Sequence, residues 1–400
     1  PPVDSLQDLR SAMCNTLAFR VCHPGRLFFR LRFARHSPDR FHSFAAMYRT
    51  PSLLFWMLVA SLLSATAALP ALHVAGTRLA DSRGNTVRLQ GVNIPSLEWS
   101  SVGEHVGESI DAAIGIWKAN LIRLPLSQDR WFGKESPGKP GDGGVSHRAL
   151  VDRLVNRIAA QGGYVLLDLH WSDAGEWGRH VGQHSMPDDN SLAFWAEVSE
   201  RYKGNAAVLF DLYNEPHDVS WEVWEKGGLV EERNEDPSRG LHLRYHSPGM
   251  QALLDTVRAS GARNVVVAGG LDWAYDLRGV VEGHALQDKK GNGVLYGTHL
   301  YPWKKDWDKH VTPAIGHVPV FVGEVGTKPW KAGDPAHENV YTPEWAGKVL
   351  AYIQTNRLDW TAWSFHPSAS PSLITDWDHT PSDYWGVPVK AALTGSPTAK

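Results

Sequence analysis

Two glutamates are the residues of this sequence whose surroundings point to chemistry. Glu215 stands in Asp211-Leu-Tyr-Asn214-Glu215-Pro216-His217, directly after the apolar run Ala206-Ala-Val-Leu-Phe210. Such a run, apolar on both faces, reads as a buried parallel strand, and Pro216 ends it because proline donates nothing to a sheet ladder. Farther along, Val318-Pro-Val-Phe-Val-Gly-Glu324-Val-Gly-Thr327 is a second apolar run ending in a lone glutamate. A carboxylate at the end of a buried strand is costly unless it has a partner or a task. Two facing carboxyls, one neutral and one ionised, are the equipment for cleaving a glycosidic bond.

The elements that must bring these residues together alternate between strand and helix. A first strand ends at Gly91-Val92-Asn93, and Leu121-Ile-Arg123-Leu-Pro-Leu126 is a second. Tyr164 to Trp171 is the third, and the run before Glu215 the fourth. Asn264–Ala268, Val294–Tyr301, Val318–Val322 and Trp360–Phe365 complete a set of eight. Between them, Ile110, Ala113, Ile114 and Trp117 share one helical face, as do Leu150, Val151, Leu154, Val155 and Ile158. Further helices are expected over Ser191–Tyr202, capped by Asp189 or Asn190, over Met250–Val257 closed by Gly261, and from Thr342-Pro343-Glu344 to about Arg357. The link between the fifth and sixth strands has the weakest helical pattern. Leu72–Leu79 and Thr86–Gly91 flank the turn Asp81-Ser-Arg-Gly-Asn85 and predict a small N-terminal β-hairpin cap. Eight strands alternating with helices predict an α/β fold, a single (β/α)8 TIM barrel. Trp221–Ser247 reads as an irregular loop beside the site.

Functional side chains of such a barrel project from the carboxyl ends of its strands. Those ends carry Asn93, Arg123, His170 with Trp171, Asn214 with Glu215, His299 with Tyr301, Glu324 and Trp363. So many polar groups at matching positions are hard to explain by packing. Asn93 reads as readily as a turn residue, and Trp171 as readily as core. Trp117 and Trp195 sit in helical stripes and read as packing.

The chain resembles glycoside hydrolase family 5, the cellulase-type family. The matching residues, in the family's order, are Arg123 in Ile-Arg-Leu-Pro, His170 in Asp-Leu-His-Trp, Asn214-Glu215-Pro216, His299-Leu-Tyr301, Glu324 in Val-Gly-Glu and Trp363 in Ala-Trp-Ser-Phe. The resemblance spans about Leu72 to Leu393. It implies a retaining double displacement on a β-1,4-glucan, cellulose-type or mixed-linkage, with no cofactor and no metal. Position by position it makes Glu215 the acid/base and Glu324 the nucleophile. It further implies that Arg123 and Tyr301 bond Glu324, that Asn214 bonds the sugar 2-hydroxyl, and that His170 and His299 orient their neighbours. Trp363 would floor the site and Trp171 wall it. The same chemistry on mannan or xyloglucan, transglycosylation, and a non-catalytic carbohydrate-binding barrel are the alternatives.

Composition limits the other classes. The net charge is −3, but residues 1–67 hold eight Arg, no Lys and three Asp, about +5, leaving about −8 for the rest. That balance argues against nucleic acid as partner and suits a neutral polysaccharide or oligosaccharide bound by a monomer. His180 and His184 have i, i+4 spacing without the glutamate of a zinc helix, and Gly138–Gly144 lacks the Lys-Ser/Thr of a phosphate loop. From Met47, Arg49, the apolar Leu53–Leu63 and Ala65-Thr-Ala67 have the layout of a secretory signal, too short to span a bilayer. The expected organisation is therefore an upstream extension over 1–46, a signal peptide over 47–67 and a catalytic domain over 68–400, secreted, with no membrane association after cleavage. Both cysteines, Cys14 and Cys22, precede the expected mature start.

Overall fold

A computed structural model describes residues 69–136, 141–233, 242–329, 342 and 344–395. The expected extension and signal peptide, both cysteines, part of Gly138–Gly144 and Pro343 lie outside the described residues.

The described chain opens with three short antiparallel strands, β1 (Leu72–Ala75), β2 (Arg78–Asp81) and β3 (Thr86–Val87). One strand more than the expected hairpin is present because the chain already reverses at Gly76, whose φ of 63° suits glycine. Eight parallel strands then close a barrel. They are β4 (Gln90–Asn93), β5 (Leu121–Ser127), β6 (Tyr164–Trp171) and β7 (Val208–Asp211). A separate antiparallel pair, β8 (Gly228–Arg233) and β9 (His242–Ser247), is inserted before the second half. The barrel resumes with β10 (Val266–Gly269), β11 (Val294–Leu300), β12 (Val320–Val325) and β13 (Asp359–Ala362), which returns to β4.

The insertion corrects the reading of Trp221–Ser247 as irregular. It holds a short helix, Trp221–Lys226, capped by the Ser220 side chain, and then the β8–β9 pair. Val230 and Tyr245 face each other across that pair and are buried, while Glu231 and Arg244 point to solvent. This period-two alternation is what one-sided burial demands of a strand pair.

The expected helices form over Val106–Gly115, Val145–Ala160, Asn190–Tyr202, Gly249–Ala259 and Trp345–Thr355. Their apolar stripes, Val151, Leu154, Val155 and Ile158 among them, pack on the outside of the barrel. The side chain that satisfies the open N–H groups of Asn190–Tyr202 belongs to Asp188, which accepts from Asn190 N at 2.8 Å and Ser191 N at 3.2 Å. Between β10 and β11 no regular helix forms. Asp272, Trp273 and Ala274 are all left-handed, with φ of 58°, 62° and 53°, a conformation costly for side chains other than glycine.

Inside the barrel, Leu121, Leu166, Leu209, Val267, Leu295 and Phe321 form an apolar plug towards the amino ends of the strands. Residues two farther along the neighbouring strands β5, β6 and β7 point to the same interior, so Arg123, Asp168 and Asp211 form a charged layer directly above it.

Candidate active site

The charged layer is organised by one guanidinium. Arg123, with no exposed surface, binds Asp211 Oδ2 through Nε, and Asn93 Oδ1 and Glu324 Oε1 through Nη1, each at 3.0 Å. Its Nη2 binds Asn214 Oδ1 at 2.8 Å and Asp168 Oδ2 at 3.0 Å. Burial works against the charge of Arg123, but Asp168, Asp211 and Glu324 outweigh it, so the group stays a cation. One cation does not neutralise three acids. Burial accordingly raises Asp211 well above the usual carboxylate range and Asp168 to about 7, despite the guanidinium beside them.

Two bulges in the ladder aim the reacting groups. Between β11 and β12 the register jumps so that Thr298 pairs Val322 and His299 pairs Glu324, leaving Gly323 as the extra residue. A Cβ on Gly323 would lie 2.8 Å from His299 Nε2, so only glycine lets the imidazole settle against the strand. The freed carbonyl of Gly323 accepts from Asn93 Nδ2 at 3.1 Å and Thr361 Oγ1 at 2.5 Å. A second jump, between Leu126 and Ser127, leaves His170 as the extra residue of β6. Bulges at barrel rims commonly redirect a side chain in this way.

Glu215, Glu324 and His299 meet at the mouth, each offering an atom within 4.8 Å of the others. Glu324 is 5% exposed and accepts from Tyr301 Oη at 2.6 Å in addition to Arg123. Glu215 is 17% exposed and shares a 2.8 Å hydrogen bond with His299 Nδ1. The two carboxyls therefore sit in different electrostatic settings. Burial raises Glu215, only partly opposed by His170, Arg123, His217 and Lys304, whereas Glu324 touches a cation and a phenol directly. Burial lowers His299 to about 3 and His170 to about 4, so both imidazoles are neutral near pH 7. His170 Nδ1 lies 2.6 Å from Asp168 Oδ2.

Asn93 is fully buried and spans Arg123, Gly323 and the Ala362 carbonyl, so it braces the wall beneath the cleft. Trp363 lies parallel to His170, with ring centroids 5.5 Å apart. Trp171 is half-buried at the rim beside Trp99, at 6.4 Å and 45°. All ten residues singled out in the sequence thus fall at or just below one mouth. The sequence reading passed over Asp168, Asp211 and Gly323. It also passed over Trp273, which stacks on His217 at 3.5 Å from the left-handed turn after β10. The signal for the two aspartates was parity, because each stands two residues after an inward leucine.

A closed eight-stranded barrel carrying two carboxyls at its C-terminal mouth places the protein among the (β/α)8 barrels with a two-carboxyl site. Residues 80–369 match the family model Cellulase (glycosyl hydrolase family 5), and the chain belongs to that family. It is 22% identical over 325 residues to Endoglucanase MaCel5A of Microbulbifer sp. (strain ALW1), covering 79% of this chain and 55% of that protein. With the Major extracellular endoglucanase of Xanthomonas campestris pv. campestris it shares 24% over 349 residues, 76% of this chain and 68% of that one. Over the first of these and a Thermobifida fusca endoglucanase, the chain spans about half the relative's length. Among solved structures, the beta-glucanase SdGluc5_26A of Saccharophagus degradans, in complex with cellotetraose, superposes with a TM-score of 0.62 at 22% identity, covering 82% of this chain and 94% of that one. The catalytic domain of Thermobifida fusca endoglucanase Cel5A superposes with a TM-score of 0.56 at 20% identity, covering 81% and 96%. These likenesses agree on the barrel. Among the described residues no helix is long and apolar enough to cross a membrane.

Proposed function

We propose that the protein is a secreted, retaining endo-β-1,4-glucanase in which Glu324 is the nucleophile and Glu215 the acid/base. The observation that carries this reading is the closeness of the two carboxyls, with oxygens within 4.8 Å, joined to their unlike surroundings. Retaining enzymes need carboxyls ~5–5.5 Å apart, since the nucleophile must reach the anomeric carbon without an intervening water. Glu324, held by Arg123 and Tyr301, attacks that carbon. Glu215, whose protonated form burial favours, gives its proton to the leaving oxygen, and a covalent glycosyl-enzyme forms. Glu215, now ionised, takes a proton from water, which releases the sugar with its original configuration. Neutral His299, as its Nδ1–H tautomer, steadies Glu215 in both states, donating to an oxygen of the carboxylate or to the carbonyl oxygen of the acid. Asn214, beside the nucleophile, donates to the sugar 2-hydroxyl as charge develops.

A glucan substrate is supported by the aromatic rings around the mouth, Trp99, Trp171, Trp273 and Trp363, which offer apolar faces to sugar rings. The endoglucanases and the cellotetraose-bound beta-glucanase among its relatives point the same way. Export is supported by the Met47–Ala67 pattern and by the extracellular relative from Xanthomonas. The test is reducing-end release from carboxymethylcellulose, barley glucan, xyloglucan, mannan and xylan, with product configuration read by NMR. Retained configuration from a β-1,4-glucan is expected, and inverted product or an inert panel refutes the reading. Azide should rescue Glu324→Ala with a glycosyl azide of inverted configuration, and rescue of Glu215→Ala in that form would exchange the roles.

A further inference from the structure

Gln183 belongs to no barrel strand, yet its side chain reaches the Asn214-Glu215 pair. Asn214 Nδ2 donates to Gln183 Oε1 at 2.9 Å, and Gln183 Nε2 lies 3.4 Å from the Glu215 carbonyl oxygen. Because Asn214 Oδ1 is already taken by Arg123, the orientation of this amide is fixed and Nδ2 carries both of its N–H bonds. One goes to Gln183, and His170 Nε2 stands 3.5 Å from the same nitrogen.

The backbone around Gln183 is pinned on both sides. Before it, Gly182 and Ser172 exchange hydrogen bonds of 3.0 Å. After it, Tyr213 Oη lies 2.9 Å from the His184 carbonyl, and Glu232 of β8 collects the rest. Glu232 accepts from Ser185 N at 2.5 Å and Tyr245 Oη at 2.7 Å, and is 2.8 Å from His184 Nδ1. The β8–β9 pair thus grips the loop one residue beyond Gln183.

We propose that Gln183 is a positioning residue for the sugar 2-hydroxyl. Its carbonyl occupies one Asn214 hydrogen; the other, held only by the long 3.5 Å contact to His170 Nε2, passes to the substrate, and Glu232 seats Gln183 there from outside the barrel. This rests on the glucanase reading, so the experiment separates the two. The quantity measured is the ratio of kcat/KM for an aryl β-cellobioside to kcat/KM for the analogue lacking the 2-hydroxyl on the sugar next to the aryl group. The ratio is independent of the fraction of enzyme that is folded.

In the wild-type protein the ratio is large, because the 2-hydroxyl contact strengthens in the transition state. Gln183→Leu is expected to narrow it about three- to tenfold, the worth of one neutral hydrogen bond, through kcat rather than KM. Glu232→Ala narrows it in the same direction, and the double variant narrows it no further than Gln183→Leu alone. An unchanged ratio in Gln183→Leu, or losses in the double variant that multiply, overturns the positioning role while leaving the glucanase reading intact. A wild-type protein that hydrolyses neither glycoside overturns both.

Discussion

Replacing Arg123 by lysine keeps the charge and removes the fork. The guanidinium makes five contacts of 2.8–3.0 Å, to Asn93, Asp168, Asp211, Asn214 and Glu324. An ammonium has three donors leaving a single point, so at least two of these buried acceptors lose their donor. Hydrogen bonds to charged groups are worth about 1.5–3 kcal/mol each, so Arg123→Lys should cost ~3–6 kcal/mol of stability. That is a large share of the ~5–15 kcal/mol typical of a domain. Arg123→Met removes the charge as well, and its deficit should depend on pH. Without the cation, Asp168 and Asp211 rise further above their unfolded values. A carboxyl raised in the folded state contributes stability that is complete below its unfolded pKa and is lost as pH climbs through the folded one. The penalty of Arg123→Met should therefore be smallest near pH 4 and grow towards pH 8, through the region where Asp168, at about 7 with the cation in place, already titrates. The assay is urea unfolding followed by tryptophan fluorescence from pH 4 to 8, with kcat/KM on a soluble glucan in parallel. A loss below ~1 kcal/mol for the lysine variant, or a pH-independent penalty for the methionine variant, would refute the account of the charged layer.

Three further perturbations test the mouth itself. Tyr301→Phe deletes the 2.6 Å hydrogen bond to Glu324, and ~1.5–3 kcal/mol at the nucleophile corresponds to roughly 10–100-fold in kcat/KM, so an unchanged rate would be fatal to that contact. Gly323→Ala forces a methyl into His299 at the bulge and should depress kcat far more than it lowers the melting temperature, with equal effects on both counting against an aiming role. Activity needs Glu215 protonated, and burial raises this group, so kcat/KM should fall on the alkaline side as pH passes its raised value. His299, lowered to about 3, should supply no limb of that profile between pH 5 and 8, and a limb in that range that vanishes in His299→Gln would contradict the assignment.

Much of this arrangement was legible in the sequence because parallel strands buried on both faces are written as short apolar runs, and the residues that end them stand out. Arg123, His170, Glu215, His299 and Glu324 were found that way. What escaped depends on pairing between strands. Gly323 is one residue among many in an apolar run until its register against Thr298 and His299 is known. The β8–β9 pair hid for a related reason, since β8 carries a charge on each face, Glu231 outward and Glu232 beside Val230, and its buried face shows only when Val230 is set against Tyr245. Gln183 gave no signal, because a polar residue in a loop looks solvated until the loop's anchors are seen.

The apolar plug and the charged layer above it explain why fold and chemistry share residues here. Leu121, Leu166 and Leu209 seal the barrel beneath Arg123, Asp168 and Asp211, so no water can solvate these ions from below. In that setting the cost of an unpaired charge is high, and the guanidinium is locked to whichever oxygens lie within reach. Only one face of the cluster opens to the cleft, and there stand Glu215 and the outer oxygen of Glu324. A substrate arriving at that face meets donors already oriented by the strands, so little reorganisation remains for the reaction step. The same geometry binds stability to activity. Any substitution that loosens the polar layer uncovers buried acids, and any that relieves those acids also frees the groups that must be held still.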